Sequence, residues 1–300
     1  MLTLPSFAKI NWTLRILGRR PDGYHEVATV LQSISLCDEL VFELREDGEI
    51  SLTCDDPSIP LGDTNLVVRA AHALSERHGA DIKLRKKIPA KAGLGGGSSN
   101  AAVTLLALNR LWGLGLGHTD LRQIGSGLGA DVPFFFAGGT AIATGTGTEL
   151  SVVADWPKQW LLIVIPNATV ATATAYQALD APRGARDSGS LTTTESLSIL
   201  SSSFTEPFSG DSSQWPLHND FEGVIFEMEP EIRRAKTALL DAGARGALLA
   251  GSGSSVFGIF TDEATRDQAL GNLRCEAGWR VFPCHTLARS EYCQAINTGA

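Results

Sequence analysis

Four glycines crowd one short stretch, at positions 93, 95, 96 and 97 of KKIPAKAGLGGGSSNAAVTLLALNRLW, which runs from Lys86 to Trp112. The apolar residues that follow recur at helical spacing, and Ser98, Ser99 and Asn100 stand at the head of that pattern as good N-cap residues. A helix N-terminus presents unpaired N–H groups and a partial positive charge, and glycines let the backbone come close to an anion. The chemistry this spacing suits is the holding of a phosphate. A bare loop ahead of a capped helix is the plain alternative.

The elements around the loop fit that use. DIKLRKKIP reads as a strand ending at Pro89, so strand, glycine loop and helix start follow in series. No Lys-Ser or Lys-Thr pair follows the glycines, which excludes a Walker A loop. PAKA ahead of Gly93 spoils the tight turn of a dinucleotide fingerprint, and HRD and DFG signatures of protein kinases are missing from the sequence.

Along the rest of the chain, EIRRAKTALLDAG spaces its apolar residues at three and four, while LVFEL, WLLIVI and SVFGIF are runs of strand type. Helices and strands are therefore mixed throughout, an α/β class. After the glycine-rich AGGTAIATGTGTEL the pattern restarts with a strand between Pro157 and Trp160, so two domains are expected, 1–156 and 157–300. From Gly184 to Ser213 serine and threonine dominate. That composition favours a weakly packed linker, with a lid over a site as the functional alternative. Leu191, Leu197 and Leu200 are spaced there for a short helix.

Apolar content of 43% with 19% charged is that of a globular protein with a full core. A net charge of −8 argues against non-specific nucleic-acid binding, so an anionic ligand must be held by local groups. The five cysteines at 37, 54, 275, 284 and 293 are odd in number and form no CxxC pair, which points to reduced thiols rather than disulfides or zinc. Pro5 and Lys9 interrupt the first apolar residues, and Pro166 and Asn167 break the longest uncharged stretch. Neither an export signal nor a membrane helix is expected, and the setting is read as cytoplasmic.

PAKAGLGGGSSNAA resembles the phosphate-binding motif of the GHMP kinases, the superfamily of galactokinase, homoserine kinase and mevalonate kinase. SFAKINWTLRILGRRPDGYHEVATVLQSI and GARGALLAGSGSSVFGIF match further superfamily segments in the expected order. AKIN followed by GRRPDGYHE, with DTNLVVRAA and GLGADVPFFFAGG, is similar to the 4-diphosphocytidyl-2-C-methyl-D-erythritol kinases of the non-mevalonate isoprenoid pathway. That resemblance implies an ATP- and Mg2+-dependent kinase acting on the tertiary C2 hydroxyl of a small cytidine diphosphate substrate. It also implies a two-domain fold, with a ribosomal-protein-S5-like N-terminal domain and a ferredoxin-like α+β C-terminal domain. The active site then lies in the cleft between them, and the oligomeric state stays open.

Residue by residue, the resemblance implies Asp131 as the carboxylate that orients the hydroxyl and accepts its proton, with Lys9 as the cation beside it. Without it, Asp131 reads as an N-cap ahead of Pro133 and Lys9 as a surface residue on a strand edge. ATP is expected against Pro89, Ala90, Lys91, Ala92, Gly93, Leu94, Gly95, Gly96, Gly97, Ser98 and Ser99, with Asn65 and Lys86 beside them and Ser99 also suggested for the metal. The acceptor is expected against Asn11, Tyr24, His25 and Tyr176. Tyr24 supplies an aromatic face for a cytosine, His25 an edge contact, and Tyr176 a second wall. AGSGSSVFG is expected to stack on the phosphate loop and bring N–H groups near the transferred phosphate. Two alternatives keep the scaffold: another acceptor such as homoserine, mevalonate or a sugar, or a non-catalytic ATP-binding module. The PDGYHE loop argues against the first, and intact Lys9 and Asp131 against the second.

Overall fold

The computed structural model describes residues 1–180 and 217–297, and the expected linker or lid at 184–213, with its short helix, lies outside the described residues. Two long antiparallel strands open the chain, β1 (Leu2–Arg19) and β2 (His25–Arg45). Then come β3 (Ile50–Cys54), α1 (Leu66–Leu74), β4 (Gly79–Arg85), α2 (Gly96–Leu111), α3 (His118–Leu128), α4 (Phe134–Ala137), β5 (Thr140–Thr144) and β6 (Glu149–Val152). The strands form a sheet in the order β3-β4-β2-β1, with β5 paired to β2 and β6 to β5.

A second sheet starts at β7 (Trp160–Ile165) and is followed by α5 (Thr172–Asp180). Beyond residue 217, β8 (His218–Asn219) returns to the first sheet and lies parallel to β1. The chain then runs through α6 (Phe221–Met228), α7 (Pro230–Asp241), β9 (Gly246–Leu249), β10 (Val256–Phe260), α8 (Glu263–Asn272), β11 (Arg280–His285) and α9 (Arg289–Asn297). The second sheet has the order β11-β7-β10-β9, every pair antiparallel. The two parts interlock: α9 also turns back, and the Tyr292 hydroxyl donates to the Phe135 carbonyl at 2.6 Å.

β1 is buried almost continuously because it is covered on both faces. Ala8, Ile10 and Trp12 pack with Leu161, Ile163 and Phe257 of the second sheet, while Leu2 and Leu4 pack with Val103 and Leu108 of α2. Lys9 and Asn11 alternate with the first set, so they point to the other face. A register shift between Asn11 and Thr13 marks a bulge at Trp12, the kind of local irregularity that re-aims side chains beside functional sites.

Two boundaries differ from the sequence expectation. β4 ends at Arg85 rather than Pro89, because the next three N–H groups leave the ladder for carboxylates: Lys86 donates to Asp55 at 2.8 Å, and Lys87 and Ile88 both donate to Asp38 at 2.8 Å. α2 starts at Gly96, ahead of the serines, with Gly95 as N-cap at φ 70°. Ser99 and Asn100 spend their side chains on tertiary hydrogen bonds instead of capping. All five cysteines are free thiols. No helix among the described residues is long and apolar enough to cross a membrane.

Candidate active site

Three segments meet at the head of α2. The first is β1, whose Lys9 ammonium donates to the Asn11 side-chain oxygen at 2.9 Å and lies 3.5 Å from the Asp131 carboxylate. Asn11 is held in turn by Thr29, to whose hydroxyl it donates at 2.7 Å. Lys9 is almost fully buried, whereas Asp131 is 39% exposed, so the carboxylate fronts an open space and the cation backs it. The helix that follows Asp131, α4, takes Pro133 as N-cap without a side-chain cap, so the Asp131 carboxylate is not spent on capping.

The second segment is the glycine loop. Ala92 and Leu94 are buried anchors whose side chains join the core between the sheets, and the Leu94 carbonyl accepts the Lys9 N–H at 2.9 Å. These two residues therefore offer the cleft backbone only. No side-chain cap covers the first N–H groups of α2, which suits an anion at that end. Lys91 is exposed and holds φ at 56°, a left-handed conformation that costs a non-glycine residue about 1 kcal/mol and that concentrates at functional loops.

The third segment is the glycine-rich turn at 250–255, which docks on the loop as expected. Ser255 donates its hydroxyl to the Ala92 carbonyl at 2.5 Å and its N–H to the same oxygen at 3.2 Å. Gly93 sits so close to this turn that a Cβ there would come within 2.0 Å of the Ala250 carbonyl oxygen. Asn219 fixes the turn from the other side, donating to the carbonyls of Leu249 and Gly251 at 2.8 Å each.

Beneath the loop lies a polar anchor that sequence reasoning missed. Asp38 has no exposed surface, and its carboxylate accepts from Lys86 Nζ at 2.5 Å, from Asn100 at 3.0 Å and from the N–H groups of Lys87 and Ile88. Ser6 extends the network, accepting from Asn100 at 2.9 Å and donating to the Ser99 hydroxyl at 2.8 Å. A buried charge survives when it is paired and its lone pairs are filled, and both conditions hold here.

The cleft enclosed by these segments has a volume of about 980 Å³ and includes Lys9, Asn11, Asp131, the loop from Pro89 to Ser98, Tyr24, His25 and Tyr176. Among the expected residues, Ser99 is displaced: its hydroxyl is fully buried in the Ser6 contact, and Ser98 is the serine that lines the cleft. Asn65 lines the cleft too, but its side chain caps α1 by accepting from Val67 at 2.9 Å and donates to the Pro60 carbonyl at 2.7 Å.

At the far end, Tyr24 is 67% exposed on the turn between β1 and β2, a turn pinned by Arg20 pairing with Asp22 and Glu26. His25 stacks on Tyr176 with ring centroids 4.5 Å apart, and Tyr176 meets Phe221 edge-on at 4.9 Å. Tyr176, expected as a second aromatic wall, lines the cleft and lies against His25, while Tyr24 stands exposed on the turn. Burial, with the nearby Asp131 charge, pushes the Tyr176 hydroxyl up to about 12, so it stays protonated at neutral pH.

A family model described as GHMP kinases N terminal domain matches residues 65–139, and one described as GHMP kinases C terminal matches residues 209–278. The chain is 46% identical over 281 residues to a 4-diphosphocytidyl-2-C-methyl-D-erythritol kinase of Syntrophotalea carbinolica, across 92% of this chain and 95% of that one. A crystal structure of a 4-(cytidine 5'-diphospho)-2C-methyl-D-erythritol kinase superimposes with a TM-score of 0.74 at 33% identity, covering 95% of this chain and 99% of that one. A mevalonate kinase from Methanococcus jannaschii shares the fold at a TM-score of 0.70 and 15% identity, covering 95% and 98% of the two chains.

Proposed function

The chain belongs to the GHMP kinases and, within them, to the 4-diphosphocytidyl-2-C-methyl-D-erythritol kinase family; from that premise we propose that its cleft passes the γ-phosphoryl group of ATP to the C2 hydroxyl of 4-diphosphocytidyl-2-C-methyl-D-erythritol. The observation that carries the reading is the pairing of Asp131 with a buried Lys9, 3.5 Å apart, at the mouth of an uncapped glycine loop.

Phosphoryl transfer requires an in-line hydroxyl, neutralised phosphoryl oxygens and a place for the hydroxyl proton. Asp131, exposed toward the cleft, orients the C2 hydroxyl and takes its proton as the new O–P bond forms and the bond to the ADP oxygen breaks. Lys9, 3.5 Å from that carboxylate, holds it in place and faces the charge on the transferred group. The N–H groups of Gly96, Gly97 and Ser98 at the head of α2 receive the nucleotide phosphates, with Lys91 and the backbone of Pro89 to Gly95 around them. Asn65 and Lys86 shape the nucleotide side, and Lys86 does so from its pairing with Asp38.

Among the described residues no three His, Cys, Asp or Glu side chains gather to hold a resident ion. A magnesium arriving with the nucleotide would be held by the oxygens of Asp131 and Ser98, both of which line the cleft, and would offset charge on the phosphates. Asn11, Tyr24 and His25 receive the acceptor, the first through Lys9 and the other two at the cytosine. The division at 1–156 and 157–300 puts the glycine loop on one side and its docking turn on the other. Five free thiols suit a cytoplasmic setting.

ADP release from the purified protein with ATP, magnesium and a panel of acceptors tests the reading. Turnover with the cytidyl acceptor alone is expected. Turnover with homoserine or mevalonate instead would refute it, and ATP binding without turnover on any acceptor would return the chain to a binding module.

A further inference from the structure

His25 is gripped on two sides. Its ring face lies on Tyr176, and its Nε2 is 2.8 Å from an oxygen of Asp180, the last residue of α5. The other Asp180 oxygen lies 4.0 Å from Arg19, so the carboxylate joins the β1–β2 turn to α5. A carboxylate accepts hydrogen bonds and donates none, so the ring nitrogen facing it must carry the proton. In the neutral imidazole that leaves Nδ1 with a lone pair and no hydrogen. His25 lines the cleft, and its Nδ1 takes no hydrogen bond among the described residues.

We infer that Asp180 is a specificity-positioning residue: by holding the proton of His25 on Nε2 it makes Nδ1 an acceptor, which selects a base bearing a 4-amino group over one bearing a 4-oxo group. The inference rests on the reading that His25 faces the base of the acceptor. A cytosine presents N–H donors at position 4, which an Nδ1 lone pair accepts. A uracil presents a carbonyl oxygen there, and two acceptors then face one another with neither satisfied. Such a mismatch in a site built for a hydrogen bond is a strong basis for discrimination. Without Asp180 the proton is free to move to Nδ1, where it would donate to the 4-oxo group and remove the preference.

The test compares kcat/KM for the cytidyl acceptor and its uridyl analogue in the wild-type protein and in Asp180→Ala, with KM for ATP measured alongside. The wild type should prefer the cytidyl compound by about tenfold or more. Asp180→Ala should bring the ratio toward unity by raising KM for the cytidyl acceptor, with KM for ATP unchanged. Asp180→Glu, which can still accept from Nε2, should restore part of the preference. A merely structural role would lower both acceptors equally and leave the ratio intact, which overturns the inference. Nitrogen-15 correlation spectra of the wild type give an independent readout, with the His25 signal identified by its loss in His25→Ala. A proton on Nε2 supports the assignment, and a proton on Nδ1 overturns it even if Asp180→Ala does not fold. Absence of any wild-type turnover with the cytidyl acceptor would strike the proposed function instead, and the inference with it.

Discussion

Replacing Gly93 with alanine tests whether the contact between the glycine loop and the 250–255 turn builds the site. The residue holds φ at 78°, and its Cβ would lie 2.0 Å from the Ala250 oxygen and 3.0 Å from the Gly253 oxygen, both backbone atoms that cannot rotate away. The left-handed conformation costs alanine about 1–2 kcal/mol. Forcing the two loops apart costs about 1–3 kcal/mol more, as overpacking does elsewhere. Together the loss is about 2–5 kcal/mol, which for a chain of this size lowers the melting temperature by between about 4 and 20 °C. Because the displaced loop carries the phosphate-facing N–H groups and shares a hydrogen bond with Lys9, kcat should also fall, by about 10²-fold for a shift near 1 Å. Gly97→Ala is the control: the nearest atom to its Cβ is a Leu66 methyl at 3.7 Å, so stability should be kept. Calorimetric melting and steady-state kinetics on both variants give the comparison. A Gly93→Ala protein that melts and turns over like the wild type would refute the claim that this close approach positions the loop.

Asp131→Asn keeps the size of the side chain and leaves Lys9 its bond to Asn11, so kcat should drop by about 10²-fold or more while melting temperature and ligand affinities hold; steady-state kinetics with a thermal melt decide it. Tyr24→Ala removes the exposed ring and should weaken the cytidyl acceptor by roughly 5-fold to 150-fold, equivalent to about 1–3 kcal/mol of stacking, with ATP affinity unchanged by titration calorimetry. Asp38→Asn strands the buried Lys86 ammonium and should cost about 3–5 kcal/mol, read as a lower urea midpoint at unchanged slope; a midpoint at the wild-type value would contradict the anchor. Burial works against ionisation of Asp220, but hydrogen bonds from His218 and the Ile16 N–H, both 2.6 Å, hold its carboxyl below the usual range. A depressed folded value means stability that is complete above the ordinary carboxylate range and lost as the pH falls through the folded one. The gap in unfolding free energy between wild type and Asp220→Asn should therefore be wide at pH 6 and close below about pH 4; a gap that widens in acid would reverse the assignment.

What could be read from the sequence was the part whose composition is itself the mechanism. A phosphate loop must be rich in glycine and must open a helix, so the stretch from Pro89 to Ser98 stood out without any tertiary knowledge, and the glycines of the 250–255 turn did the same. The edges of these elements were misplaced for one shared reason. Ser99 and Asn100 have the right side chains for an N-cap, and Lys86 to Ile88 have the right pattern for a strand, but each was claimed by a partner distant in sequence. Asp38 takes Lys86 from 48 residues away and Asn100 from 62, and Ser6 takes Ser99 from 93. No local periodicity encodes such a pairing. In a list of residues Asp38 is one more acid in a strand, and its burial alone reveals that it anchors the loop. Asn219 escaped for the same reason, since two of its three bonds go to carbonyls 30 and 32 residues on.

The acceptor end divides along the same line. PDGYHE was visible because a turn that offers a tyrosine and a histidine is unusual on its face, and the structure leaves Tyr24 exposed as that turn suggests. The relation of His25 to Tyr176 and Asp180 was not visible, because α5 supplies both partners from the other side of the cleft, Asp180 from 155 residues away. Charge and ring are common enough that neither residue announces its partner. The groups that meet substrate are thus selected by type and show in the sequence, whereas the groups that hold them are selected by place. For that reason a substitution at Asp38 or Asp180, which touches no phosphate and no hydroxyl, should alter the chemistry as surely as one in the loop itself, the first through the loop's position and the second through the proton on His25.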